Sequence, residues 1–197
     1  MFGKETLGVL AVILTVVGYA PYFWSIFKRK TKPHVFTWII GGTANGIAFA
    51  AQYSRAAGPG AWVTGFTSVL CFMIAGLALL WGEKNIKKID IFTFLCALAS
   101  IPLWYFTKDP LGAVILASAI DVFGCYPTFR KSYSKPYEEA AFMWVLAAIR
   151  CLFGFLALES YSLVTMLYPL ALVFTNISIA VMIITRRIIL NKQTHIL

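Results

Sequence analysis

Seven apolar stretches, each about as long as a helix needs to be to cross the hydrocarbon core of a bilayer, take up nearly the whole chain. They run Leu7–Phe27, Val35–Tyr53, Ala61–Trp81, Ile89–Phe106, Leu111–Phe129, Ala140–Leu158 and Leu163–Thr185. With 60% of its residues hydrophobic and 13% charged, against ~45–50% apolar in an ordinary soluble domain, the chain predicts an all-α integral membrane protein. The connections are short, so whatever chemistry the protein performs is expected within or beside the helices. The first stretch is longer than a signal-peptide core and has no small-residue cleavage site, so it is expected to stay as a span.

The chain also repeats itself. Gly18, Pro21, Phe23, Phe36, Trp38 and Phe49 recur as Gly124, Pro127, Phe129, Phe142, Trp144 and Phe155, every pair 106 residues apart. Thr31-Lys32-Pro33 recurs as Ser134-Lys135-Pro136, and Phe66-Thr67-Ser68 answers Phe174-Thr175-Asn176 at an offset of 108. Repeats of this kind decide the architecture before any local reading does. Spans one to three and five to seven form two units, and the fourth span has no counterpart in either. Because three spans are an odd number, a directly fused second unit would be upside down, and a linker span restores its orientation. The expected arrangement is therefore 3+1+3: a first repeat over residues 1–82, a linker helix over 83–108, and a second repeat with its tail over 109–197. A pseudo-twofold axis along the membrane normal relates parallel repeats of this type, and a cleft is expected along it.

The net charge of +9 is not that of a nucleic-acid binder, because the basic residues alternate sides. Lys28, Arg29, Lys30 and Lys32 follow the first span, Lys84, Lys87 and Lys88 the third, Arg130, Lys131 and Lys135 the fifth, and Arg186, Arg187 and Lys192 the seventh. The opposite connections hold only Lys4, Arg55 and Lys108. This bias places the amino terminus outside and the carboxyl terminus in the cytoplasm, in a plasma or inner membrane, with the basic loops on anionic headgroups. Tyr53, Trp62, Tyr105 and Tyr161 then mark the outer interface, and Trp24, Trp81 and Tyr133 the inner one.

Seven spans in a three-one-three pattern, an outside amino terminus, and a proline paired between spans one and five before a basic loop together resemble the PQ-loop superfamily. That superfamily includes the SWEET sugar facilitators, cystine and cationic amino acid exporters and, more remotely, the KDEL receptor. The resemblance covers nearly the whole chain, although the signature proline-glutamine pair is replaced by Pro21-Tyr22 and Pro127-Thr128. It implies a transporter that works by alternating access. It also implies that a pair of asparagines in spans three and seven faces the solute, for which this chain offers Ser68 and Asn176.

With each span centred on the bilayer, Asn45, Asp121, Arg150 and Asn176 fall at the midplane, with Ser68, Tyr19, Tyr126 and Thr175 close by. A charge at the centre of a span costs at least ~2.5–3.5 kcal/mol on insertion scales, so Asp121 and Arg150 are expected to face each other, water or a ligand. The first repeat has Thr15 and Ala44 at these two places, so the fold does not need the charges twice, whereas a site for an asymmetric polar solute does. Arg150 presents a planar fork suited to a carboxylate, and Asp121 balances it in an empty site, which opens the way to proton coupling. The expected substrate is an amino acid, an organic acid or a sugar. Pro21 and Pro127 are the candidate flex points, and Trp38 and Trp144 the candidate gates at the cytoplasmic end.

Cys71, Cys96, Cys125 and Cys151 lie inside spans with no C-x-x-C pair and no histidine at metal-ligand spacing, so neither a metal nor a cofactor is expected. No Ser/His/Asp set or phosphate-cradling glycine loop points to an enzyme. The alternative from another class is a non-transporting receptor or sorting protein on the same scaffold, and a homo-oligomer is compatible with either.

Overall fold

Helix ends fall where the capping chemistry puts them. Asp109 accepts from the backbone N–H groups of Leu111 (3.0 Å) and Gly112 (3.3 Å), with Pro110 at the first helical position, and so opens one helix. Ser162 and Thr165 open another by bonding each other's backbone N–H, a reciprocal cap. The structure, a computed structural model, describes residues 3–30, 33, 35–82, 109–125, 129, 132–134, 136–138 and 141–194, with positions 91, 95, 99, 102 and 106 between them. The helices are α1 (Lys4–Phe27), α2 (Val35–Ser54), α3 (Trp62–Trp81), α4 (Pro110–Gly124), α5 (Ala141–Leu156) and α6 (Leu163–Thr194), with 3-10 turns at Gly58–Ala61 and Pro136–Glu138. No strand occurs among the described residues.

Three helical segments, Lys4–Phe27, Gly58–Trp81 and Leu163–Asn191, are long and apolar enough to cross a membrane, while Pro110–Gly124 and Ala141–Leu156 are apolar but shorter. The outer surface agrees with a membrane protein: Leu79 is 75% exposed, Phe123 77% and Phe142 71%, a display of large apolar groups that water disfavours and lipid does not. Of the expected fourth span, Ile89–Phe106, all but the five isolated positions lies outside the described residues, and Cys96, Tyr105 and Lys108 with it. The expected fifth span is described as a helix to Gly124 with a turn at Cys125; residues 126–128 lie outside the described residues, and Phe129, its expected end, is helical, its N–H donating to the Cys125 carbonyl at 3.0 Å. The seventh overruns, continuing to Thr194 instead of Thr185. Tertiary contacts explain the overrun. Arg186 Nε donates to the Tyr133 carbonyl at 3.1 Å, Arg187 Nε and Nη2 to the Pro136 carbonyl at 3.1 and 3.0 Å, and the Tyr137 hydroxyl to Asn191 Oδ1. The connection before α5 is thereby laid along the basic end of α6.

The packing has a regular plan. Among the described residues, α3 packs closely against both α1 and α2, and α6 against both α4 and α5, while the backbones of α1 and α2 do not approach closely, their contact running through the rings of Tyr19, Tyr22 and Trp38, and the backbones of α4 and α5 do not approach closely either. Across the two groups the pairs are α1 with α5, α2 with α4, α3 with α5 and α2 with α6. Exchanging α1, α2, α3 for α4, α5, α6 returns the same set of neighbours. One end of the bundle carries the α2–α3 and α5–α6 connections. The other carries Lys28, Arg29, Lys30, Arg186 and Arg187 and is called the basic end here.

Small residues set the α2–α3 distance, as the Gly41, Gly42 and Gly46 run leads one to expect. A Cβ at Gly46 would stand 3.1 Å from Ser68 Oγ, which donates to the Gly42 carbonyl at 2.7 Å. The bond joins two helices already in close contact, so Ser68→Ala is expected to lower stability by only ~0.6 kcal/mol, the average for interhelical bonds in bundles. Thermal unfolding of the purified variant checks this, and a loss several times larger would mean that Ser68 does more than join α3 to α2.

Candidate functional site

Arg150 sits on α5 where α1 and α3 approach it. Its Nη1 donates to Thr67 Oγ1 at 3.0 Å, and Thr67 can accept because its own proton goes to the Val63 carbonyl at 2.7 Å. The guanidinium carbon lies 5.8 Å from the centre of the Tyr19 ring on α1, within cation–π range. The Tyr19 hydroxyl in turn lies 3.9 Å from Cys71 Sγ. Among the described residues, no carboxylate comes within the 4.0 Å of an ion pair with Arg150.

Asp121, on α4, is held separately. Its Oδ2 accepts from the hydroxyl of Tyr168 on α6, a buried ring. Asp121 and Arg150 therefore each have a neutral partner of their own, a tyrosine for the acid and a threonine for the base, and they are not in ion-pair contact. A charge among apolar helices is expensive to leave without a charged partner, and the arrangement leaves each with unused capacity for a ligand or water.

The residue after Tyr168 is Pro169, inside α6. A proline has no N–H, so the carbonyl four residues back, that of Thr165, loses its helical partner. Gln52 on α2 replaces it: its Nε2 donates to the Thr165 carbonyl at 3.1 Å, and the side chain is fully buried. Two more links join the same end. Lys4 Nζ donates to the Leu158 carbonyl, and the Glu159 N–H donates to the Ala57 carbonyl at 3.0 Å. Gly60 lets the chains meet here, since a Cβ on it would stand 2.7 Å from the Gly154 carbonyl oxygen. Phe49 and Phe155 both cover the apolar cluster of Ala57, Ala61 and Leu158 at this end.

Two cavities flank Arg150, and its side chain lines both. The smaller, about 10 Å³, is bounded by Asn45, Thr64, Thr67, Arg150, Tyr168 and Pro169, room for about one water. The larger, about 230 Å³, lies on the basic side of Arg150 and is bounded by Leu14, Tyr19, Trp144, Leu146, Arg150 and Asn176 among others. The guanidinium thus stands between a water-sized chamber toward the end stapled by Lys4, Gln52 and Glu159 and a larger one toward the basic end.

The expected site residues do not all arrive together. Asn45 and Asn176 line the smaller and larger cavities respectively, each with its amide nitrogen on the carbonyl four residues back in its own helix, Gly41 at 2.9 Å and Leu172 at 2.6 Å. Tyr19 and Arg150 line the larger cavity, whereas Asp121 lies behind Tyr168. Ser68 lines neither cavity and serves the α2–α3 contact instead, because the glycines opposite it bring the Gly42 carbonyl within reach. Trp144 lines the larger cavity, while Trp38 packs on Tyr22 and Tyr19 with ring centres 5.0 and 6.1 Å apart. α1 continues through Pro21 without interruption. Tyr126 and Pro127 lie outside the described residues. Cys71, Cys125 and Cys151 are free thiols.

Sequence reasoning missed Tyr168, Pro169 and the bond of Gln52. The signal was available, since Tyr-Pro interrupts the seventh apolar stretch as plainly as Pro21 interrupts the first. No family model matches the chain, and no curated protein or solved structure resembles it significantly.

Proposed function

We propose that this protein is a membrane transporter of a small polar solute, working by alternating access between two parallel three-helix units joined by a linker span. The observation that carries the proposal is the placement of Arg150, a guanidinium with no ion-pair partner among the described residues, between a water-sized chamber and one of about 230 Å³. Such a residue binds something charged or polar that comes and goes. The neighbour pattern supports the two units, because it is unchanged when they are exchanged. So does the small cavity, where Asn45 and its repeat partner Cys151 both contribute to the lining. The loop prolines agree as well: Pro33 and Pro136 are both buried, and the carbonyl of each meets the end of its unit's third helix, at Gly82 and at Arg187.

In this reading the structure is closed at the stapled end and has its chamber on the basic side. Arg150 holds the solute, Asn176 and Tyr19 orient it, and Asp121 with Tyr168 forms the second polar layer. Trp144 narrows the chamber, Trp38 backs Tyr19, and Pro21, Pro127 and Pro169 are the flex points. The basic end faces the cytoplasm, with Lys28, Lys30 and their neighbours on anionic headgroups.

Counterflow in proteoliposomes tests the proposal. Vesicles preloaded with unlabelled substrate are expected to accumulate labelled substrate transiently, and a receptor would bind it without exchange. Orientation is tested apart from activity: an impermeant thiol reagent applied to intact cells is expected to label a cysteine at Arg55 and to spare one at Lys30. The opposite pattern would reverse the assignment.

A further inference from the structure

We infer that the larger cavity takes a monocarboxylate with a small apolar body, an inference that rests on the transport reading for the ligand's passage and on the cavity itself for its binding. Three properties of the lining narrow the ligand. The first is charge. Among the described residues, one guanidinium faces the cavity and no acidic side chain lines it. A single negative charge is matched, while the ammonium group of an amino acid would meet the like charge of Arg150 and no carboxylate. Asp121, the acid of this layer, is engaged by Tyr168 and is absent from the lining.

The second property is the scarcity of hydrogen-bonding groups. Besides Arg150, the polar side chains among the described lining residues are the Tyr19 hydroxyl, which already faces Cys71, the Asn176 amide, whose nitrogen is used within α6, and the Trp144 indole. A sugar would bury several hydroxyls against so few partners, at a cost for each one left unmade. A carboxylate needs only the fork of Arg150 and one further donor. The third property is the remaining wall, Leu14, Leu146, Met143 and Ala147, which suits a hydrocarbon body. At about 230 Å³ the space lies below the ~300–1,000 Å³ of drug-sized pockets, so the body is a short one.

The test uses the purified full-length protein and a ligand series that requires no mutation. Isovalerate is expected to raise the unfolding temperature saturably, as a ligand of the folded state does. It should bind roughly fifty-fold more tightly than acetate, since each buried carbon contributes about fourfold. Isovaleramide, leucine and glucose are expected to leave the unfolding temperature unmoved, and Arg150→Gln to abolish the isovalerate shift. The inference is overturned if the amide or leucine binds as well as the acid, if acetate equals isovalerate, or if none of the series binds. Counterflow separates the two readings: isovalerate that binds without exchange leaves the ligand class standing and removes the transporter. Glucose exchange insensitive to isovalerate does the reverse.

Discussion

Arg150→Lys is expected to weaken solute binding by about 10- to 100-fold while leaving a folded protein, as read by ligand-dependent unfolding and by the concentration dependence of counterflow. The charge survives the substitution, but the planar fork does not. An ammonium on a flexible stem makes single contacts where a guanidinium makes two parallel ones. Hydrogen bonds to charged groups are worth about 1.5–3 kcal/mol, which corresponds to roughly that range of affinity. The contact with Thr67 Oγ1 at 3.0 Å fixes one face of the fork and aims the rest toward the cavity. Thr67→Val should therefore weaken binding in the same direction but by less, since it releases the guanidinium without removing it. An Arg150→Lys protein that transports with unchanged affinity would make the arginine a packing element. Asp121→Asn is expected to act differently. The side-chain carbonyl still accepts from Tyr168, so exchange continues, and the acid's own ionisation disappears from the pH profile.

The elements that announce themselves by apolar length were legible in the sequence. α1, α2 and α3 begin and end within three residues of their apolar stretches. Where hydrophobicity and helicity part company, the reading erred. The basic residues after Thr185 look like a solvated tail, yet α6 continues through them because Arg186 and Arg187 find carbonyl partners on a segment some fifty residues away in sequence. Depth reasoning brought out Asn45, Asp121, Arg150 and Asn176 because unpaired polarity is rare in an apolar run. It did not tell which of them share a cavity, since that depends on the rotation of each helix about its axis. Ser68 is the instructive case. Its depth suits a solute contact, but the glycines of α2 turn its hydroxyl into a rivet between helices. Partner choice was equally hidden, because an acid and a base at one depth suggest an ion pair, and a tyrosine one helix away captured the acid first.

That tyrosine precedes the proline on which the second large effect turns. Pro169 leaves the Thr165 carbonyl without a helical donor, and Gln52 supplies one from α2 at 3.1 Å. The two residues should therefore be coupled. In the unaltered chain, Gln52→Leu strands a buried carbonyl. In a Pro169→Ala background the new N–H at position 169 reaches that carbonyl, and the same substitution strands nothing. A coupling of about 1–3 kcal/mol is expected from such a cycle, or about 2–10 °C in unfolding temperature for a chain of this size. Pro169→Ala alone is expected to raise that temperature, because a proline inside a helix is costly. Transport should move the opposite way. Pro169 lies beside Tyr168, in the wall of the smaller cavity, and in the transport reading α6 flexes there as the stapled end opens. A stiffer helix is expected to slow counterflow several-fold with binding unchanged, the usual exchange of stability against motion. Additive effects of Gln52→Leu and Pro169→Ala would show that Gln52 fills space and that the carbonyl finds its donor elsewhere.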